Sequence, residues 1–197
     1  MSRILIVLFF SVLVSFNAIA QQDYRSDIND FVVNEMKLWL KNDIVIKALK
    51  KQNEKNELLS QTDKKILNDT WMGERRKNKR PLTDRVLEND LSNFLKIKQK
   101  ESQGLFTEII IIDAYGINAG QSMISDDYWQ GNNEKWTKTL GSRSYGTYIS
   151  DLAFDYNTEF FQVEVAFIAT LNDEPIGVVY AGIDVEQLES WKKRLLE

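Results

Sequence analysis

The 197-residue chain contains neither cysteine nor histidine. Without cysteine there are no disulfides, no thiolate nucleophile and no site for a lipid-modified N-terminal cysteine. Without histidine the commonest general base is gone, and the two absences together remove the usual zinc ligands. No glycine-rich phosphate loop occurs. Gly141-Ser142-Arg143-Ser144-Tyr145-Gly146 misses the nucleophile elbow, because its second glycine stands five positions after the first instead of four. The oxygen-rich stretch after Ser125 lacks the alternate-residue ligands of an EF-hand loop. No metal, no cofactor and no catalytic step are therefore expected. A net positive charge is lacking as well. The formal net charge is −4, and the one basic run, Arg75-Arg76-Lys77-Asn78-Lys79-Arg80, lies between Gly73 and Pro81. It reads as a solvated loop, and no nucleic-acid partner is expected.

The first twenty residues are mostly apolar. Arg3 supplies a positive start, Ile4 to Phe16 is almost unbroken in apolar character, and Ala18-Ile19-Ala20 precedes the polar Gln21-Gln22. That order describes a secretory signal peptide, residues 1–20, cleaved before Gln21. An uncleaved anchor is the competing reading. The run is short for it, since a hydrocarbon core of about 30 Å needs roughly 20 apolar residues. The mature protein is expected to be soluble, periplasmic and free of disulfides.

Residues 21–103 follow a helical pattern. From Ser26, the positions Ile28, Phe31, Val32, Met36, Trp39 and Leu40 recur at three-and-four spacing, with Asp27, Asp30 and Glu35 in the first turns. One long helix is predicted, continuing past Leu49 and fading in Lys50 to Glu57. Ser60-Gln61-Thr62-Asp63 predicts a capped helix through Ile66, Leu67 and Trp71, stopped by Gly73. Thr83 is the predicted cap of a third helix carrying Leu87, Leu91, Phe94 and Leu95 and ending near Gly104. These stripes are core packing and carry no chemistry.

From Gly104 to the end, 104–197, the pattern is that of strands. Phe106 to Ile112 is β-branched and short, and Asp113-Ala114-Tyr115-Gly116 is a tight turn whose aspartate caps local amides. Ile117 to Ser122 folds back against that strand. Further strands are predicted at Thr147 to Ala153, Phe160 to Thr170 and Ile176 to Val185, with turns at Asp155-Tyr156-Asn157-Thr158 and Asn172-Asp173-Glu174-Pro175. Gln162 and Glu164 lie on the face opposite Phe161, Val163 and Val165. A short amphipathic helix, Glu186 to Leu196, closes the chain. Five strands joined mostly by hairpins after a helical segment make an antiparallel α+β domain.

The runs FTEIIIIDAYGINAGQS, SDDYWQGNNEKW, Tyr148-Ile149-Ser150-Asp151 and IGVVYAGIDV resemble the Cache, or PDC, sensor domains. These are extracytoplasmic relatives of the PAS fold that head bacterial chemoreceptors and sensor kinases. The resemblance runs from about Ser26 to Val185, and its most specific part is Asp127-Tyr128-Trp129-Gln130-Gly131 with Trp136 downstream. It implies a PAS-like five-stranded antiparallel sheet preceded by a long helix. It also implies a small-molecule pocket on one sheet face, roofed by the loop and helix between the second and third strands.

The roof residues suit a pocket on their own chemistry. Asp126, Asp127, Tyr128, Trp129 and Trp136 place fixed charges and flat apolar walls within a dozen positions, and a cationic ligand gains further from ring faces. The alternative is that the indoles merely cover the sheet and the carboxylates cap the short helix. Asp184 ends an apolar strand, where burial without a partner is costly. In amino-acid-binding relatives an arginine stands two positions before the roof tryptophan and a tyrosine follows it, with a tyrosine on the third strand and an aspartate ending the last. Trp136, Tyr148 and Asp184 match that pattern, but Glu134 and Thr137 replace the arginine and the following tyrosine. The carboxylate clamp is missing, with Lys135 or Arg143 as the substitutes at hand. The expected ligand is thus a small polar or amine-bearing metabolite, held by Trp136, Tyr148, Asp184, Trp129, Tyr128, Asp126 and Asp127. The family's transmembrane helix and output module do not follow the sheet within these residues, so a solitary sensor module acting through a membrane-bound partner is expected. Pairing along the leading helix would give a homodimer. The competing reading is an exported interaction or regulatory protein that keeps the fold without a small ligand.

Overall fold

The computed structural model describes residues 24–197. The predicted signal peptide lies outside the described residues. The leading helix turns wide as a π-helix over Ile28–Val32, narrows to α1, Val33–Trp39, and then breaks. A new helix, α2, Asp43–Asn56, starts where the side chain of Asn42 accepts the N–H of Ile44 at 2.9 Å. The single long helix expected from the stripe is corrected here, and geometry gives the reason. Val45 stands nine residues after Met36, which at 3.6 residues per turn puts it on the opposite side of a straight helix. The break brings Val45 and Leu49 into the same core as Val33 and Met36. The lysine- and asparagine-rich segment stays helical because its inner face is polar. Gln52 and Asn56 donate to the carboxylate of Asp113, and Asn53 donates to the carbonyl of Ile176.

α3, Gln61–Glu74, opens on the expected box, with Ser60 and Asp63 each holding the other's amide. The third predicted helix is two helices: α4, Pro81–Leu87, and α5, Asp90–Glu101, the second capped by Asn89. Thr83 is no cap. It lies buried inside α4, whose first amides, those of Leu82 and Thr83, are both accepted by the Glu74 carboxylate at 2.9 Å. The basic run is solvated in its middle but tethered at its ends, Arg75 to Asp126 and Arg80 to Asp84.

The sheet contains β1, Phe106–Asp113; β2, Asn118–Gln121; β3, Tyr148–Ile149; β4, Ala153–Asp155; β5, Phe160–Leu171; and β6, Glu174–Ile183. All neighbours are antiparallel in the order β2-β1-β6-β5-β3, with β4 also on β5. The α+β class and antiparallel sheet are as expected, except that the third predicted strand is the two short pieces β3 and β4. The β1–β2 turn is built as foreseen: Asp113 Oδ1 accepts the amides of Tyr115 and Ile117, and Gly116 takes a φ of 85°. Burial pushes the Asp113 carboxyl above its ordinary value, against the four hydrogen bonds that pull it down. α7, Leu188–Leu196, closes the chain.

Period-two alternation separates the two faces of the sheet. Ile109, Ile111, Val163, Val165, Val179 and Ala181 meet Val32, Met36, Leu49 and Leu95 in the main core. Ile110, Ile112, Ala166, Val178 and Tyr180 point the other way and are covered by Trp136, Leu140 and Tyr148. No helix among the described residues is long and apolar enough to cross a membrane.

Candidate functional site

The strand register defines the floor of a pocket on this second face. Across the sheet, Glu108 on β1 pairs with Gly182 on β6, and Gly182 pairs with Glu164 on β5. One row over, Ile110, Tyr180, Ala166 and Tyr148 stand side by side. Two carboxylates thus flank a residue without a side chain. A methyl at Gly182 would run into Thr107 Oγ1 and Gln162 Oε1, so any side chain there would displace that pair.

Tyr180, fully buried, reaches into the gap. Its hydroxyl oxygen is 2.8 Å from Glu108 Oε1 and 3.1 Å from Glu164 Oε1. A phenol has one proton to donate, so satisfying both contacts requires a second proton on one of the carboxyls. Glu108 is the group suited to carry it. Burial raises its carboxyl above the ordinary range, opposed by the charge of Lys135 and the Tyr180 hydrogen bond. The Tyr180 hydroxyl is held well above its usual value by burial and then by the two acids, and it stays a donor. Lys135 comes down from the roof, its Nζ 3.5 Å from Glu164 Oε1 and 3.9 Å from the centre of the Tyr180 ring.

The roof is the β2–β3 connection, including α6, Glu134–Thr137. Its root is pinned by α3. Asn68 accepts the amides of Tyr128 and Trp129 at 2.7 and 2.9 Å and donates to Asp127 Oδ1 at 2.9 Å. Trp71 Nε1 donates to the carbonyl of Ser125, and Arg75 pairs with Asp126 at 2.5 Å. Beneath lies a cavity of about 250 Å³, lined by Glu108, Ser125, Asp126, Asp127, Gln130, Asn133, Glu134, Lys135, Asp155, Asn157 and Glu164. A second hollow of about 340 Å³ shares Glu134, Asp155 and Glu164 and adds Tyr148, Ser150, Asp151, Phe154 and Gln162. With Glu108 protonated and Asp126 paired to Arg75, the carboxylates of Asp127, Glu134, Asp155 and Glu164 face the single ammonium of Lys135. Among the described residues, no group of three or more histidines, cysteines, aspartates or glutamates is arranged to hold a metal ion.

Of the residues singled out from sequence, Asp126 and Asp127 line this cavity. Trp136 and Tyr148 share the adjoining apolar cover, and the Tyr148 hydroxyl donates to Glu134 Oε2 at 2.5 Å; burial and that contact push its pKa up. The other three lie outside the cavity. Tyr128 stacks on Trp71, ring centres 5.3 Å apart, its hydroxyl pushed up to about 12 by burial. Trp129 packs over Gly116 and Gly131 beside the β1–β2 turn. Asp184 ends β6, its Oδ1 accepting the amide of Glu186 just before α7. Sequence reasoning did not single out Glu108, Glu164 or Tyr180, and it named Lys135 only as a substitute for the missing carboxylate clamp. The signal was a charge at period-two spacing within two otherwise apolar strands.

No family model matches the chain, and no curated protein matches it in sequence. Solved structures do match. The sensor domain of the V. cholerae histidine kinase DctB is 14% identical with a TM-score of 0.45, over 90% of this chain and 60% of that one. The E. coli DcuS sensor domain is 11% identical with a TM-score of 0.40, over 67% of this chain and 93% of that one. The ligand-binding domain of the Campylobacter jejuni chemoreceptor Tlp3, in complex with L-valine, is 13% identical with a TM-score of 0.42, over 84% and 65%. This chain therefore spans about three fifths of the DctB domain and just under two thirds of the Tlp3 domain. The first two are sensor domains and the third is the ligand-binding domain of a chemoreceptor.

Proposed function

We propose that this protein is an extracytoplasmic sensor module that takes a small amine-bearing ligand into the acidic cavity over its sheet. In this reading residues 1–20 export it, and occupancy is reported to a membrane-bound partner; it binds and does not catalyse. The observation that carries the reading is the charge imbalance of the cavity, where Asp127, Glu134, Asp155 and Glu164 face one lysine. At about 4 Å and an effective dielectric of about 20, each carboxylate–ammonium pair is worth roughly 4 kcal/mol before desolvation, and a carboxylate placed there meets repulsion of the same order. An α-amino acid or a dicarboxylate is disfavoured by that sign, whereas a monoamine is not. Asp127 and Glu164 take the ammonium, Trp136 and Tyr148 wall the site, and Tyr128, Trp129 and Asp184 hold the frame around it.

Isothermal titration against butylamine, 1,4-diaminobutane, succinate and L-valine tests the reading. Both amines are expected to bind, more weakly as salt is raised, and Asp127→Asn combined with Glu164→Gln should abolish the heat. Binding of succinate or valine in preference to either amine would overturn it.

A second reading rests on a different observation. Phe154, Tyr156, Phe160 and Phe161 are all exposed on the β4–β5 hairpin, and Phe154 meets Tyr156 and Phe161 edge-on at 5.2 Å. Such a patch favours protein contact without a small ligand. Sedimentation of the wild type and Phe154→Ser/Phe161→Ser, read alongside amine titration, separates the two readings.

A further inference from the structure

Away from the acidic cavity, a further hollow lies between α2 on one side, α4 and the start of α5 on the other, and β2. Its volume is about 540 Å³, more than twice the 250 Å³ of the acidic cavity. Small-molecule sites occupy roughly 300–1,000 Å³ and pair apolar walls with a few convergent polar groups. Ile44, Ala48, Val86, Leu91, Ala119 and Tyr128 supply such walls. On α2, Ile44 and Ala48 stand four residues apart, and so do Lys47, Lys51 and Lys55, so one edge of the helix passes from apolar to cationic.

Charge does not balance in this hollow. Lys47 is paired with Asp43 at 3.1 Å. Among the described residues, Lys51, Lys55 and Arg85 form no salt bridge, and neither does Asp90, which stands in the first turn of α5. Three cations less one carboxylate leave an excess of two positive charges. These cations feel one another. The Lys55 ammonium is held below its ordinary value, by burial first and then by Arg85 and Lys51. The charge of Arg85 also works against burial at the Tyr128 hydroxyl. An anion set among them relieves the repulsion.

We propose that this hollow is a second binding site, for a small anion with an apolar tail, its head at Lys51, Lys55 and Arg85 and its tail over Val86, Leu91 and Ala119. A phosphate monoester suits it better than a carboxylate. It brings nearly two negative charges to the excess of two, and a guanidinium holds two of its oxygens at once. The site is opposite in sign to the acidic cavity and does not depend on the amine reading. The two meet in one segment, since Tyr128 lines this hollow and Asp127 lines the other, and Asn68 holds both.

The test is isothermal titration of hexyl phosphate, inorganic phosphate and hexanol into wild type and three variants. These are Lys51→Gln/Arg85→Gln, Ile44→Ser and, as a control that removes the same charge elsewhere, Arg76→Gln/Lys77→Gln. All five positions are exposed, so circular dichroism should be unchanged. In the wild type, hexyl phosphate should bind at least about tenfold more tightly than phosphate or hexanol, the increment of burying about two methylenes for the first comparison. Lys51→Gln/Arg85→Gln should weaken it about a hundredfold, the loss of two charged hydrogen bonds. Ile44→Ser should weaken hexyl phosphate and leave inorganic phosphate unchanged, and the control pair should alter neither. Co-sedimentation with phosphatidylcholine vesicles containing phosphatidic acid, lost in Lys51→Gln/Arg85→Gln, would make the head that of a lipid; binding of hexyl phosphate without such co-sedimentation would make the ligand a soluble ester. Either supports the site. No binding of hexyl phosphate to the wild type, equal binding of hexanol, or an equal loss in the control pair overturns it. Butylamine titrated into the same proteins reads the acidic cavity separately, so failure of one site is told from failure of the other.

Discussion

Replacing Tyr180 by phenylalanine isolates the proton-sharing group beneath the cavity. The ring is fully buried, so the substitution keeps its packing and its contact with Lys135 and removes only the hydroxyl. Glu108, 4% exposed, then loses its hydrogen-bond partner. Leaving a buried polar group without its partner costs about 1–3 kcal/mol. For a chain of this size, each kcal/mol moves the unfolding midpoint by about 2–4 °C, so a loss of about 2 kcal/mol lowers it by about 4–8 °C. The pH dependence is the sharper readout. The Glu108 pKa is raised on folding, so its contribution is fully present below its unfolded value, near 4.5, and is lost as pH rises through the folded value. The Tyr180 bond is one of the influences holding that folded value down. Without it the ionised form is costlier still, and Tyr180→Phe should lose more stability at pH 8 than at pH 4.5. In a Glu108→Gln background, where the tyrosine still has an acceptor and position 108 no longer titrates, the loss should be smaller and depend less on pH. Urea unfolding followed by circular dichroism at the two pH values measures all four proteins. An equal loss from Tyr180→Phe at both pH values, or an unchanged pH slope in Glu108→Gln, refutes the assignment of the proton to Glu108.

Two further outcomes follow from the polar clamps. Glu74→Ala strands the buried amides of Leu82 and Thr83 at the start of α4 and should cost about 3 kcal/mol in urea unfolding, while Glu74→Gln, which keeps an acceptor, should cost about 1 kcal/mol. Asn68→Ala frees the amides of Tyr128 and Trp129 and should expose 125–133 to faster proteolysis while weakening amine binding, with a global loss of only about 1–2 kcal/mol.

The parts of this fold governed by neighbours in sequence could be read from residues alone. The Ser60–Asp63 box, the Asp113 turn and the strand Phe106–Asp113 each follow from a few adjacent side chains. The helix breaks at Asn42 and Asn89 were harder, because an asparagine inside an apolar stripe caps a helix only if the chain gains by bending there, and that gain lies in a distant core. The site divides the same way. Asp126 and Asp127 were visible as charges in a turn. The role of Tyr180 depends on the pairing of three strands, since only register shows that a tyrosine in an apolar run stands beside two acids.

Asn68, Trp71 and Arg75 follow one another at three and four residues along a single helical edge, and all three grip the first turn of the roof. The roof is thus hinged to a rod instead of hanging free. Lifting it even by an ångström or two must either snap three separate polar links at once or tilt α3 with it. That rod also carries Ile66 and Met72, both exposed, so a tilt would change what the protein shows a neighbour there without any rearrangement of the sheet.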